Sequence, residues 1–188
     1  MRRCFLRTAM LILCGASFLS PTIVAQRPTP KRASVKVPTI APRPEDVATL
    51  DGIMKAFYET VSGPAGQQRQ WGRDRTLYIP GIRFVATESQ NGKVLSRVMD
   101  HQTYVDLVND DFVRNGFFER EIHRLTRSFG NITHVFSTYE TRLKADGPVT
   151  ERGVNSVELF YDGKRWWIAS ATWDQERPDN PITREFLP

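Results

Sequence analysis

The sequence predicts an α+β domain in which N-terminal helices cover one face of an antiparallel sheet. Two hydrophobic patterns support this fold class. Apolar residues recur at steps of three and four in the first part of the chain, which is typical of amphipathic helices. From Phe117 onward they alternate with polar residues between short turns, which is typical of strands. Helices followed by a run of strands favour a sheet with its helices on one face.

The first 44 residues are predicted to lie outside this domain. Residues 1–25 show the order of a secretory signal: basic residues, an apolar run from Met10 to Phe18, and small residues before Gln26. Residues 26–44 are rich in proline and basic residues and lack aromatics, which favours a disordered tether. Two interpretations of the tether stay open, a solvated spacer and a segment attracted to an anionic surface. The domain is then 45–188, and the protein is expected to be exported to the periplasm or secreted.

Charge and cysteine content exclude several classes of function. Residues 45–188 hold 18 of the Lys and Arg residues but all 21 of the Asp and Glu residues, so the basic excess belongs to the N-terminus. This removes the main argument for nucleic-acid binding. Both cysteines, Cys4 and Cys14, fall in the predicted signal. The mature protein would therefore have no disulfide, thiolate metal site or cysteine nucleophile.

Two helices are predicted before the first strand. Glu45 to Val61 carries one apolar stripe and is predicted as a single helix. Gly52 is expected to weaken its middle by about 1 kcal/mol relative to alanine. Trp71 to Thr76 is predicted as a short helix that brings Trp71 and Leu77 to the core.

A hairpin and a longer helix are predicted next. Strands at 82–88 and 94–99 flank Asn91-Gly92, which is a strong hairpin turn. Asp100 is a predicted N-cap, and Asn115-Gly116 is predicted to end the helix. The predicted apolar face of this helix comprises Tyr104, Leu107, Val108 and Phe112. His101, beside the cap, is expected at the surface.

Four strands are predicted in the remaining chain, at 118–128, 132–144, 149–161 and 165–175. Close turns between them predict an antiparallel meander. A two-residue turn at Asp162-Gly163 would pair Leu159 with Trp166 on the face that meets the helices. The opposite face would then carry Phe160, Trp167, Ala169, Ala171 and Trp173. Two apolar faces predict that the second is covered by another subunit or a ligand.

In this order of elements the chain resembles the nuclear-transport-factor-2-like superfamily, which includes ketosteroid isomerases and the SnoaL-like polyketide cyclases. The matching segments are FYETVSG, QWGRDRTLYIPGIRF, GNITHVFSTYETR and DGKRWWIASATWDQE, and the resemblance covers about residues 45–176. It implies a cone-shaped roll with a cavity between a curved sheet and the helices. It also implies frequent dimerisation through the outer sheet face.

The resemblance implies less about a reaction. The isomerases have a tyrosine in the first helix, which Tyr58 matches, and an aspartate as general base. The corresponding segment here, residues 77–81, contains no carboxylate. The superfamily also includes cyclases, dehydratases and binding modules, so the resemblance specifies the fold and leaves the activity open.

One group of polar residues is a candidate acid/base site. A two-residue turn at Gly130-Asn131 would pair His123 with Thr138 and Glu121 with Glu140, and place both glutamates and His123 on one face. Two close carboxylates and an imidazole provide proton-transfer capacity. The candidate catalytic residues are therefore His123, Glu121 and Glu140. The alternative is a solvated strand end neutralised by neighbouring arginines.

Aromatic residues are the candidate ligand-binding groups, with the hydrophobic core as the alternative. Those selected are Tyr58, Trp71, Tyr104, Phe136 and Trp166. The three histidines lack metal-ligand spacing and there is no Gly-rich phosphate loop, so neither a metal nor a cofactor is predicted.

The leading functional hypothesis is an exported small-molecule-binding or accessory domain with an apolar cavity. Its expected partners are an apolar or aromatic small molecule and a second copy of the chain bound through the sheet. One alternative is a cyclase, isomerase or dehydratase that uses acid/base residues in the same cavity. The other is a protein-interaction module.

Overall fold

The computed structural model of the protein describes residues 33–90 and 92–188. The predicted signal peptide and the tether up to residue 32 lie outside the described residues. The elements in chain order are α1 (Pro44–Val47), α2 (Leu50–Glu59), α3 (Trp71–Arg75), β1 (Tyr78–Gln90), β2 (Lys93–Met99), α4 (His101–Asn115), β3 (Phe118–Phe129), β4 (Ile132–Arg142), β5 (Glu151–Tyr161), β6 (Trp166–Gln175) and a 3₁₀ helix (Arg184–Phe186).

The strands form a six-stranded sheet in the order β2-β1-β6-β5-β4-β3. Neighbouring strands are antiparallel except β1 and β6, the second and third strands in this order, which pair in parallel. Helix α2 packs against β3 and β6, and α4 packs against β1. The predicted α+β class, with helices on a sheet that follows them, is confirmed.

The predicted helix from residue 45 to 61 is instead two helices, α1 and α2. Thr49 interrupts the helical backbone with an extended conformation, φ −132° and ψ 158°. Its hydroxyl accepts a hydrogen bond from the Gly52 N–H at 2.9 Å and caps α2. A Cβ on Gly52 would lie 2.4 Å from the Glu45 carbonyl oxygen. Gly52 therefore permits the close approach of α1 to α2, a role that the helical stripe does not indicate.

Helix α4 has the predicted ends but a different buried face. Asp100 caps it by accepting from the Thr103 N–H at 2.8 Å, and Gly116 ends it with φ 79°. Val105 is fully buried, whereas Leu107 is 46% exposed. The expectation that His101 lies at the surface is wrong, because its ring is drawn inward to the buried Asp74 carboxylate at 2.8 Å.

Two β-bulges change the predicted register. The two-residue turn at Gly130-Asn131 is confirmed, since Phe129 pairs with Ile132. Further along, Glu121 pairs with Tyr139 and His123 with Thr138, so Ile122 is an extra residue in β3. Residues on the N-terminal side of this bulge therefore face the side opposite to the predicted one.

The second bulge lies in β6. Tyr161 pairs with Trp166 across a four-residue turn, so the predicted pairing of Leu159 with Trp166 is wrong. Leu159 pairs with Ile168 and Glu158 with Ser170, which makes Ala169 the extra residue. Ala171 and Trp173 consequently lie on the inner face with the core, and not on the outer face as predicted.

The outer face of the sheet is covered in part by the chain's own C-terminal segment. The Thr138 hydroxyl donates to the Phe186 carbonyl oxygen at 2.6 Å, and the rings of Phe136 and Phe186 lie 5.3 Å apart. A cover for this face was predicted, but from another subunit or a ligand.

Part of the predicted tether is packed against the domain, and the compact unit spans Ala33–Pro188. The Val35 N–H donates to the Asp106 carboxylate at 2.7 Å, and Val35 and Val37 pack with the cluster around Trp71. The Arg75 guanidinium donates to the carbonyl oxygen of Pro38 at 2.9 Å. Val35 and Val37 thus provide apolar surface that the proline-rich composition of this segment does not indicate.

Candidate functional site

A cavity of about 240 Å³ lies between helices α2 and α4 and the inner face of the sheet. Its wall is mainly aromatic, and its polar groups lie on β3, β4, β5 and β6. The lining residues are Phe57, Val61, Tyr78, Phe84, Tyr104, Val108, Phe112, Phe117, Glu119, Tyr139, Thr141, Glu151, Asn155, Trp173 and Gln175. The wall forms where the amphipathic helices pack on the inner face of the sheet.

The aromatic rings of the wall pack against one another at angles. Tyr78 meets Phe84 edge-on at 5.1 Å between ring centroids, and Phe84 lies 5.2 Å from Tyr104. Tyr104 in turn meets the Trp173 ring at 6.1 Å. Such edge-to-face packing is favourable beyond burial alone and holds the rings in place. The contacts between these rings therefore hold the shape of the cavity without a ligand.

Four polar side chains converge on the sheet side of the cavity. Glu119 on β3 is paired with Thr141 on β4, whereas Glu151 and Asn155 project from β5. The Tyr139 hydroxyl donates to Glu151 Oε1 at 3.3 Å. Asn155 hydrogen-bonds the Glu119 carboxyl group. The arrangement places two hydrogen-bonded carboxyl groups beside a wall that is mainly aromatic.

Gly153 sets the floor of this site. A Cβ at residue 153 would lie 2.5 Å from the Tyr139 hydroxyl oxygen and 2.5 Å from the Asp174 carbonyl oxygen. The missing side chain is what allows the Tyr139 ring to lie across β5. Gly153 therefore positions the hydroxyl that bonds to Glu151.

Burial governs the ionisation of both carboxyl groups. Removal from water raises the pKa of Glu119 to about 8; the Asn155 hydrogen bond opposes this rise and the charge of Glu151 adds to it. Burial also raises the pKa of Glu151, against hydrogen bonds from Tyr139 and Gln175. Glu119 is thus mostly protonated at neutral pH. A carboxyl group that titrates near neutrality is suited to donate or accept a proton.

A hydrogen-bond chain runs from the cavity wall to a neighbouring groove. The Asn155 amide donates to the Tyr58 hydroxyl oxygen at 3.1 Å, and the hydroxyls of Tyr58 and Ser137 lie 2.6 Å apart. Ser137 donates in turn to the Glu121 carboxylate. Burial raises the pKa of Tyr58 far above its usual value, so Tyr58 stays neutral. The chain fixes the orientation of Asn155 beside Glu119.

The three predicted catalytic residues are not brought together. Because of the bulge at Ile122, Glu121 shares the inner face with Tyr139, whereas Glu140 is opposite Arg120 on the outer face. Hydrogen bonds from Arg142 and Arg120 lower the pKa of Glu140. His123 is opposite Thr138. The predicted pairing of Glu121 with Glu140 is therefore wrong.

Among the predicted ligand-binding residues, Tyr104 lines the cavity, and Tyr58 supports its wall through Asn155. Trp71 is buried in a separate cluster, where its indole N–H donates to Asn109 at 2.7 Å. Phe136 lies against Phe186 on the outer face. Trp166 packs against Tyr161, with ring centroids 5.8 Å apart. The aromatic content of the sequence does not distinguish these positions.

Sequence reasoning missed Glu119, Glu151 and Asn155. Alternation places Glu119 on the same face as Glu121, and places Glu151 and Asn155 on the same face as Leu159, which was predicted to meet the helices. The two-residue alternation of the strands therefore indicated that these three residues face inward. They interrupt the apolar pattern too little to be selected as site residues.

No group of three or more His, Cys, Asp or Glu side chains is placed to hold a metal ion in residues 33–90 and 92–188. Within the same part of the chain, none of the helices has the length and apolar character needed to cross a membrane.

Comparisons with known proteins give similarity in structure only. No protein-family model and no curated protein matches the sequence. The structure is similar to an NTF-2-like protein of unknown function from Silicibacter pomeroyi, with a TM-score of 0.46, 12% identity, and coverage of 69% of this chain and 94% of that chain. It is also similar to a protein of unknown function from Mycobacterium tuberculosis, with a TM-score of 0.47, 15% identity, and coverage of 73% and 80% respectively.

Proposed function

We propose that the domain binds a small, largely apolar molecule in the inner cavity. The observation that supports this function is a preformed aromatic cavity whose carboxyl and amide side chains all lie on the sheet side. Such a distribution orients a ligand while burying most of its surface. The volume of about 240 Å³ lies just below the range of roughly 300–1,000 Å³ that holds drug-sized molecules, which favours a ligand of no more than about three rings.

Filling the cavity tests the proposal. Val108 lines the cavity, whereas its neighbour Leu107 on the same helix is 46% exposed. We expect Val108→Phe to reduce the affinity for the neutral fluorophore N-phenyl-1-naphthylamine by at least about ten-fold, because the added ring occupies the space for the ligand. Fluorescence titration measures the affinity directly.

Leu107→Phe is the matched control, since it adds the same ring outside the cavity. It should bind the fluorophore as the wild type does. Equal binding by all three proteins would show that the fluorophore occupies another surface, and would contradict the proposed site.

Acid/base catalysis in the same cavity is the second candidate function. It is favoured by Glu119, whose pKa of about 8 allows it to exchange a proton near neutral pH. One measurement distinguishes catalysis from binding alone. If a bound carbonyl compound takes up deuterium from solvent and Glu119→Gln abolishes this uptake, the domain is an enzyme. Binding without exchange supports a binding module.

Export is a further part of the proposal. It rests on the order of basic, apolar and small residues before Gln26. Mass spectrometry of the protein expressed in a bacterial host should find a new N-terminus near Gln26 in the periplasmic or secreted fraction. Intact Met1 on most of the protein would argue against a cleaved signal.

Self-association through the outer sheet face also stays a proposal. The structure places Trp167 on that face and Trp173 on the inner one. Strand β2 exposes Val94 and Val98, which are 74% and 63% accessible. These valines pair with Ser89 and Val85 of β1 and extend the apolar surface that a second copy would cover.

A further inference from the structure

The cavity carries acidic groups without any basic counterpart. Two carboxyl groups, Glu119 and Glu151, lie in its wall, and no Lys, Arg or His is among the residues that line it. Buried carboxylates are normally paired, because an isolated charge away from water is costly. The other titratable groups that face Glu119 provide no positive charge either: Tyr58 from α2, Tyr78 from β1, Tyr104 from α4 and Tyr139 from β4.

The basic residues in the adjoining groove are already engaged. Glu119 also borders that groove, together with Lys55, Arg120, Arg124 and Arg142. Arg124 binds Glu121 and Asp51, at 2.8 and 2.6 Å. Arg120 and Arg142 both bind Glu140 at 2.6 Å, and Lys55 pairs with Glu59 at 3.5 Å. None of these four cations is paired with Glu119.

The aromatic wall suits a cation as well. Phe84 lies between Tyr104 and Trp173, with centroid distances of 5.2 and 6.3 Å, and all three line the cavity. Aromatic faces attract organic cations, and Trp is the strongest of the three ring types. Aromatic rings beside an uncompensated carboxylate are the surroundings in which proteins hold substituted ammonium groups.

We propose that the ligand of the inner cavity is an organic cation, an apolar molecule bearing an ammonium group whose charge is balanced by Glu119 and Glu151. This inference rests on the proposed function, since it names the chemical class of the molecule that the cavity binds. The ammonium group lies between the carboxyl groups of β3 and β5 and the rings of Phe84, Tyr104 and Trp173, and the apolar part of the ligand contacts the rest of the wall.

A neutral ligand that accepts a hydrogen bond from protonated Glu119 is the competing occupant, and pH separates the two. A cation binds the carboxylate form, so its affinity rises as pH increases through the Glu119 pKa of about 8. A neutral acceptor binds the protonated form, so its affinity falls over the same range. The sign of the pH dependence therefore identifies the class of ligand.

Two probes of the same shape test the inference. Phenyltrimethylammonium and tert-butylbenzene differ in one atom and in charge, and neither titrates. Binding is followed by tryptophan fluorescence, because Trp173 lines the cavity. At about pH 9 we expect the cation to bind at least about ten-fold more tightly than the hydrocarbon, and to lose at least about ten-fold of its affinity at about pH 6.

Substitutions assign the effect to the carboxyl groups. Glu119→Gln should abolish most of the pH dependence of cation binding and most of the preference for the cation over the hydrocarbon. Glu158→Gln is the control, because Glu158 lies on the outer face of β5 with 54% of its side chain exposed. Glu158→Gln should retain the wild-type preference for the cation.

The outcomes separate the inference from the function on which it rests. Equal affinity for both probes at every pH, or tighter binding of the hydrocarbon, overturns the cationic ligand and leaves the proposed binding function in place. Binding of neither probe, together with a Val108→Phe variant that binds N-phenyl-1-naphthylamine as the wild type does, overturns both.

Discussion

Replacing Asp74 with alanine is expected to lower the free energy of unfolding by about 3–5 kcal/mol. The Asp74 carboxylate is fully buried and accepts hydrogen bonds from Thr60 at 2.8 Å, Tyr78 at 2.9 Å and His101 at 2.8 Å. These donors come from the end of α2, from β1 and from α4. Alanine would leave all three without an acceptor in a place that water does not reach.

Urea denaturation of Asp74→Ala and of an exposed control measures this effect. Asp51 is 91% exposed and forms a surface ion pair with Arg124, so Asp51→Ala should cost less than about 1 kcal/mol. Asp74→Asn keeps two acceptor lone pairs and should fall between the two. An Asp74→Ala variant as stable as Asp51→Ala would show that the three donors find other acceptors.

Raising the pH from about 5 to about 9 is expected to destabilise the folded protein through Glu119. The pKa of Glu119 is about 8 in the folded protein, against an ordinary value of 4.5, so the folded state holds this proton where the unfolded state has lost it. The contribution to stability is complete below the ordinary value and disappears as pH rises through 8. At about 1.4 kcal/mol per pH unit, the loss is at most roughly 4 kcal/mol.

Glu119→Gln tests this dependence, because the amide has no proton to lose. Its free energy of unfolding should change less with pH over this range than that of the wild type. Glu140 should affect the pH dependence of stability in the opposite sense, because Arg142 and Arg120 lower its pKa. Its contribution to the free energy of unfolding is lost as the pH falls, and Glu140→Gln should remove that loss. Parallel pH curves for the wild type and Glu119→Gln would show that the Glu119 carboxyl is well hydrated.

The elements of the fold could be predicted because each depends on local patterns. Asp100 and Gly116 have the chemistry of helix ends, and the Gly130-Asn131 turn fixes its own pairing. The division of the first helix at Thr49 was missed, because the apolar stripe continues through it. The apolar stripe indicates which face of the helix is buried, but it does not indicate a break in the backbone.

The candidate site was predicted less well because its position depends on register. Alternation from the Gly130-Asn131 turn pairs the strands correctly as far as His123, and one extra residue at Ile122 then exchanges the two faces. A bulge changes no composition and leaves no distinctive residue in the sequence. The raised pKa of Glu119 was equally out of reach, because it depends on helices that are distant in the chain.

The bulges at Ile122 and Ala169 also suggest how a cavity of this kind acquires a new specificity. If β3 paired with β4 without the bulge at Ile122, Glu121 would lie opposite Glu140, and Glu119 and Glu121 would both turn to the outer face. The composition of the cavity would then change without any substitution in its wall. Restoring regular alternation in β6 would likewise remove Trp173 from the wall. In this architecture a shift of strand pairing by one residue changes several contacts with the ligand at once, so the presence of a bulge is an evolutionary variable as effective as side-chain identity.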